Sequence, residues 1–154
     1  RVEGEVLRFF VALFITVGGL EASGVLHSLT ALLGGLTHLP PVWFGLLLLW
    51  FSAGLSAIVD NVPITIALIP VIEELGAAGL NPIPLWWALA FGAGFGGNGT
   101  IIGSTANIIV TTLSKKTRSP ITAALWNRRG LPVMLLTCAI ASLFYLVFYS
   151  LFER

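Results

Sequence analysis

Apolar residues in this chain come in long runs, and polar positions act as punctuation between and inside them. A helix crossing a hydrocarbon core of about 30 Å needs roughly 20 residues at 1.5 Å each. Runs of that size delimit four regions: Phe9 to about Leu33, containing GGLEASG; Val42 to Ile72, interrupted by DNVP; Pro84 to Leu113, interrupted by GFGGNGTIIGS; and Leu131 to Phe152. Between the last two lies the most basic stretch, SKKTRSPITAALWNRRG.

Length sorts these regions. Leu131–Phe152 is a plain span of 22 residues, with Tyr145, Phe148 and Tyr149 toward one end, where aromatic belts sit. In the second region Asp60 separates Val42–Val59, about long enough to cross, from the 11 residues Val62–Ile72, too few to cross. The pattern predicts a re-entrant helical hairpin over 42–72, with AIVDNVP at its tip and Glu73 and Glu74 at its base. The third region has 30 residues, about 45 Å as one helix and more than a crossing needs. Its glycines, including Gly96, Gly97, Gly99 and Gly103, lower helix propensity and permit positive φ, so two half-helices joined by unwound GGNGT are expected.

Composition fixes the solvent. Mean hydropathy is +0.96 and only 10% of residues are charged, against about a quarter in soluble domains. No charged residue occurs from Leu75 to Ser114, and Asp60 is the only one from Ala22 to Ile72. No soluble surface can be built from that. The net charge of +1 gives no sign of nucleic acid, and the single Cys138 excludes a disulfide within the chain. The opening RVEGEVLR has no signal-peptide pattern, and the chain is expected to be a piece of something longer. With a re-entrant hairpin, Arg1, Arg8, Lys115, Lys116, Arg118, Arg128 and Arg129 fall on one face and only Arg154 on the other. Cytoplasmic loops collect Lys and Arg, so the loop 114–130 is expected in the cytoplasm of a prokaryotic inner or plasma membrane.

The chemistry lies in the interruptions. Irregular backbone at membrane depth is tolerated only where it is packed in protein or lines a wet cavity. Asp60 costs roughly 2.5–3.5 kcal/mol at the centre of a lone membrane helix, so it must meet water, a cation or a hydrogen-bond partner. Pro63 removes a donor and disfavours helical geometry at Val62, which predicts a non-helical tip. The tip offers Asp60, Asn61, Ser56 and Thr65; the broken helix offers Asn98, Thr100, Ser104, Thr105 and Asn107. Carboxylate, amide oxygen and loose carbonyls suit a hard cation such as Na⁺, whereas a half-helix beginning near Ser104 suits an anion. Glu21 is either a buried proton carrier or an acid near the outer interface. His27 and His38 read as interfacial, and Trp50, Trp86 and Trp87 as packing or belt residues. The 115–129 cluster could bind anionic headgroups, although topology alone explains it. No metal-ligand cluster, activated nucleophile or phosphate loop is present in the sequence, so an enzyme is not expected, and no cofactor beyond Na⁺ or H⁺ as coupling ion. A channel lined by the same tips, and a fragment that only assembles with a partner, are the alternatives to a carrier.

SAIVDNVPITIALIPV (Ser56–Val71) and LWWALAFGAGFGGNGTIIGSTANIIV (Leu85–Val110), with VGGLEASGVL (Val17–Leu26), resemble the C-terminal half of the ion transporter superfamily. That group contains the citrate-transporter-like, arsenite permease, P-protein-like and sodium/proton antiporter families. The resemblance implies two inverted repeats, each with a re-entrant hairpin and a broken helix, of which this chain is the second. It also implies an all-α integral membrane protein that transports a small inorganic or organic ion by alternating access. The repeat would be completed in the bilayer by a missing N-terminal repeat or a second copy. Where the dicarboxylate branch reads Ser-Asn-Thr at the tip, this chain reads Asp60-Asn61-Val62. Arsenite permeases tend to have a neutral residue before that Asn, and an acid there is more like the sodium/proton antiporters and the P-protein relatives than the arsenite or organic-anion permeases.

Overall fold

The computed structural model describes residues 8, 11, 12, 14, 15, 18, 19, 22–35 and 39–153. Among them every regular element is helical: α1 (Val25–Gly34), α2 (Pro41–Ile58), α3 (Asn61–Ala77), α4 (Pro82–Gly96), α5 (Thr105–Ser114), α6 (Ala123–Val147) and α7 (Tyr149–Phe152). The helices start where local chemistry supplies their orphan N–H groups with acceptors. Asn81 caps α4 by accepting from Ile83 N at 3.1 Å, Ser104 caps α5 by accepting from Ala106 N at 3.3 Å, and Thr122 caps α6 by accepting from Leu125 N at 3.2 Å. Pro41 and Pro82 occupy the first turns of α2 and α4, where a missing N–H costs nothing.

The core is the seam between α2 and α4. Gly92 lies against Leu49 and Ser52, Gly96 against Ala53, and Gly99 against Ala57, so the two helices run parallel with their C-terminal ends together. Small residues let the backbones approach, as membrane helices require when lipid offers no hydrophobic drive for association. α3 runs back along the pair and contributes Leu68, Val71, Ile72 and Leu75 to the core. α6 is antiparallel to α4. Its Tyr145 fills the notch left by Gly45 and donates to the Pro84 carbonyl at 3.1 Å, while at the other end Gly130 and Met134 reach Asn98 and Gly99. The outer face of α6 carries exposed Leu136, Ile140, Leu143 and Val147, a surface suited to lipid.

One end of the molecule is therefore a base, where α2 and α4 begin, and the other a tip, where α2 turns into α3 and α4 gives way to α5. The charges follow this axis. Glu153 lies at the base beside Asn81, whose amide donates to the Glu153 carbonyl at 3.0 Å, and Glu74 meets His27 of α1 there at 3.2 Å. Arg129 lies at the tip with Asn98. α2 and α6 are long and apolar enough to cross a membrane.

Several boundaries differ from the sequence expectation. The break between α2 and α3 falls at Val59, whose φ and ψ of −120° and 140° are extended, and at Asp60, not at Val62–Pro63. Pro63 is the third residue of α3, still within the four whose N–H groups have no intrahelical partner, so it fits the helix it was expected to break. α3 runs 17 residues to Ala77, through Glu73 and Glu74. It is about 26 Å long, and its length no longer argues against a crossing. The break glycines take no positive φ; among the described residues only Gly24 (77°) and Gly79 (103°) do. Gly24 lies in a turn at Ser23–Gly24 that divides the first expected span just before α1. α6 begins eight residues before Leu131 and takes up Trp126, Arg128 and Arg129 from the expected loop, and a kink at Phe148 separates it from α7.

Candidate functional site

Asp60 sits where the two backbone interruptions meet. As N-cap of α3 it directs Oδ1 at Val62 N, 3.4 Å away, a long contact. Its Oδ2 accepts from Thr105 N at 2.8 Å and also from the Thr105 hydroxyl. Thr105 is the first residue of α5, so the hairpin's carboxylate occupies the positive end of the second half-helix. One side-chain oxygen thus joins the tip of α2–α3 to the break between α4 and α5.

A second set of bonds holds the break in shape. The Thr100 hydroxyl donates to the Ala57 carbonyl and accepts from Gly103 N at 3.1 Å, which ties residues 97–104 to the end of α2. Asn107, buried on α5, donates to the carbonyls of Gly97 at 2.8 Å and Thr100 at 3.0 Å. Ser56, fully buried, donates across the seam to the Ala93 carbonyl at 2.7 Å. Gly97 and Gly103 face each other so closely that a Cβ on either would lie 2.6 Å from the other's carbonyl oxygen. Close approach, and not left-handed backbone, is what requires glycine there.

Eight of the nine expected site residues therefore cluster around the tip and break, but most have committed polar groups. Ser56, Thr100 and Asn107 satisfy carbonyls, Ser104 caps its own helix, and Thr65 donates to the Asn61 carbonyl one turn back at 2.8 Å within α3. The side-chain amides of Asn61 and Asn98 have no hydrogen-bond partner among the described residues. Glu21 and His38 lie outside the described residues. His27 faces Glu74 at the base, far along the molecule from Asp60. Trp50 donates to the Ser142 hydroxyl at 3.0 Å, and Trp87 packs on Phe152 with ring centroids 5.2 Å apart.

One contributor was missed in the sequence. Trp126 donates from Nε1 to the Asn98 carbonyl at 3.1 Å, and with Leu125, Arg129 and Val133 it lines a cleft of about 460 Å³ beside the break. Its only signals were an aromatic inside the basic stretch and the small Gly130 one turn later, where a Cβ would meet the Asn98 carbonyl.

Discontinuous apolar helices whose ends meet around Asp60, a half-exposed acid at the tip of the bundle, define a class: an all-α membrane protein of the transporter kind. The chain belongs to the citrate transporter family, which it matches over residues 1–92. It is 34% identical over 161 residues to an uncharacterized transporter of Synechocystis, covering 93% of this chain and 36% of that protein. It is 37% identical over 147 residues to an uncharacterized transporter of Mycobacterium tuberculosis, covering 93% and 34%. To the human P protein it is 36% identical over 160 residues, covering 96% and 18%. The chain thus spans about a third of the length of the transporter relatives it matches. No solved structure matches it.

Proposed function

We propose that the chain forms half of the ion site of a cation-coupled secondary transporter, working by sodium/proton antiport or a related exchange of small ions through alternating access. The observation that supports this reading is the contact of Asp60 with Thr105, which puts the single acid of a long apolar stretch at the junction of two interrupted helices. An ionisable residue inside a membrane segment marks an ion or proton pathway by default. Asp60 Oδ1, with its long contact to Val62 N, and the amide oxygens of Asn61 and Asn98, unpartnered among the described residues, are hard ligands of the type Na⁺ takes. In this scheme Asp60 exchanges a proton for Na⁺. The segment 114–130, which joins α5 to the first residues of α6, faces the cytoplasm, and a preceding repeat or a second copy supplies the other half of the site.

Replacing Asp60 with Ala in the natural protein, reconstituted in vesicles, is expected to reduce sodium-dependent proton flux by about tenfold or more, the equivalent of ~1.4 kcal/mol in ion binding. Unchanged flux would falsify the role given to Asp60. The name of the family favours a second reading, an organic-anion permease. Uptake of labelled citrate driven by a sodium gradient, with no exchange of sodium for protons, would establish that reading instead.

A further inference from the structure

A half-helix N-terminus in a membrane protein presents free N–H groups and a partial positive charge, an arrangement that ordinarily receives an anion. In this chain the position is filled from within. Asp60 Oδ2 accepts both the Thr105 N–H, at 2.8 Å, and the Thr105 hydroxyl, and Ser104 accepts the next N–H, that of Ala106. Asn107, one turn on, spends its amide on the carbonyls of Gly97 and Thr100. The donors that open α5 are thus divided between two side chains, one of them a carboxylate carried in by another element. The two oxygens of that carboxylate are not equivalent, because Oδ1 has only the 3.4 Å contact with Val62 N.

We propose that Asp60 is the specificity-determining residue of the half-site: it acts as a built-in anion that closes the α5 N-terminus to an anionic cargo and leaves one carboxylate oxygen for a cation. This rests on the transporter reading above but separates from it, because it concerns which charge the broken helix can receive. It follows that removing the Asp60 side chain, while keeping the Thr105 donors, uncovers a seat for a small carboxylate. An amide in the same place does not, since it fills the space.

Formate is the probe, with chloride at equal ionic strength as the control, and thermal unfolding of the natural protein in detergent is the readout. Formate is expected to raise the melting temperature of Asp60→Ala saturably, and to leave wild type and Asp60→Asn no higher than chloride does. Absence of any formate-specific shift in Asp60→Ala overturns the inference, as does a saturable shift in wild type. If Asp60→Ala does not fold, Asp60→Gly carries the same expectation, and the wild-type arm decides alone: formate or citrate competing with sodium for flux would contradict a closed helix end. The outcomes separate the two claims. Lost sodium flux without formate binding retains the role of Asp60 in the ion site and removes the closed helix end; formate binding with full sodium flux retains the closed helix end and removes Asp60 as a cation ligand.

Discussion

At the scale of single residues, glycine does different work at neighbouring positions of one helix. Gly96 faces the α2 backbone, where a Cβ would run into Ala53, whereas two residues earlier Gly94 has open space. Gly96→Ala must push the helices apart and is expected to destabilise by about 1–3 kcal/mol. Gly94→Ala should be neutral or gain up to about 1 kcal/mol from helix propensity. Unfolding in SDS-containing mixed micelles measures both, and equal effects at the two positions would show that the α2–α4 seam is not the tight one described. The same seam explains why residue roles were only partly legible in the sequence. That Asp60, Asn98, Thr105 and Asn107 belong to one place follows from polar residues interrupting apolar runs. That Asn107 serves two carbonyls while the Asn98 amide has no partner among the described residues depends on how the break folds, and composition carries no trace of it.

At the scale of elements, hydropathy and Gly/Pro punctuation located α2, α4, α5 and α6, because apolar length and helix breaking are local properties. Boundaries moved where context overrides local preference. Pro63 is a breaker in mid-helix and harmless in a first turn, and which of these applies depended on Asp60 becoming the cap of α3. Glu73 and Glu74 looked like an end of α3 because charge leaves the hydrocarbon, but a helix can run on past that boundary, here to Ala77. α5 stands apart from the other helices. Among the described residues it lies along no other helix, exposes Ile108, Ile109, Val110 and Leu113, and is held through its first turn by Asp60 and Asn107. Asn107→Ala is therefore expected to speed amide hydrogen exchange across 108–114 and leave that of α4 unchanged. Faster exchange in both helices would mean that Asn107 supports the whole fold and does not pin α5 alone.

At the scale of the whole molecule, the described residues have a base rich in glutamate and aromatic side chains and a tip where the interruptions meet. α6 measures that axis. Tyr145 lies at the base against Gly45, Gly130 lies level with Asn98, and α6 continues seven residues further to Ala123, about 10 Å beyond the level of the break. The α2–α3 turn, joined to the break through Asp60 and Ala57, thus reverses before α6 ends. The re-entrant hairpin expected over 42–72 makes the side of the membrane on which the chain lies before α2 and after α3 decisive. Single cysteines at Pro40, Ala78 and Ser119, each in a Cys138→Ala background, can be labelled with an impermeant maleimide from either side of sealed vesicles. Positions 40 and 78 should react from one side and 119 from the other; reaction of 40 and 78 from opposite sides would contradict the hairpin and the half-site built on it.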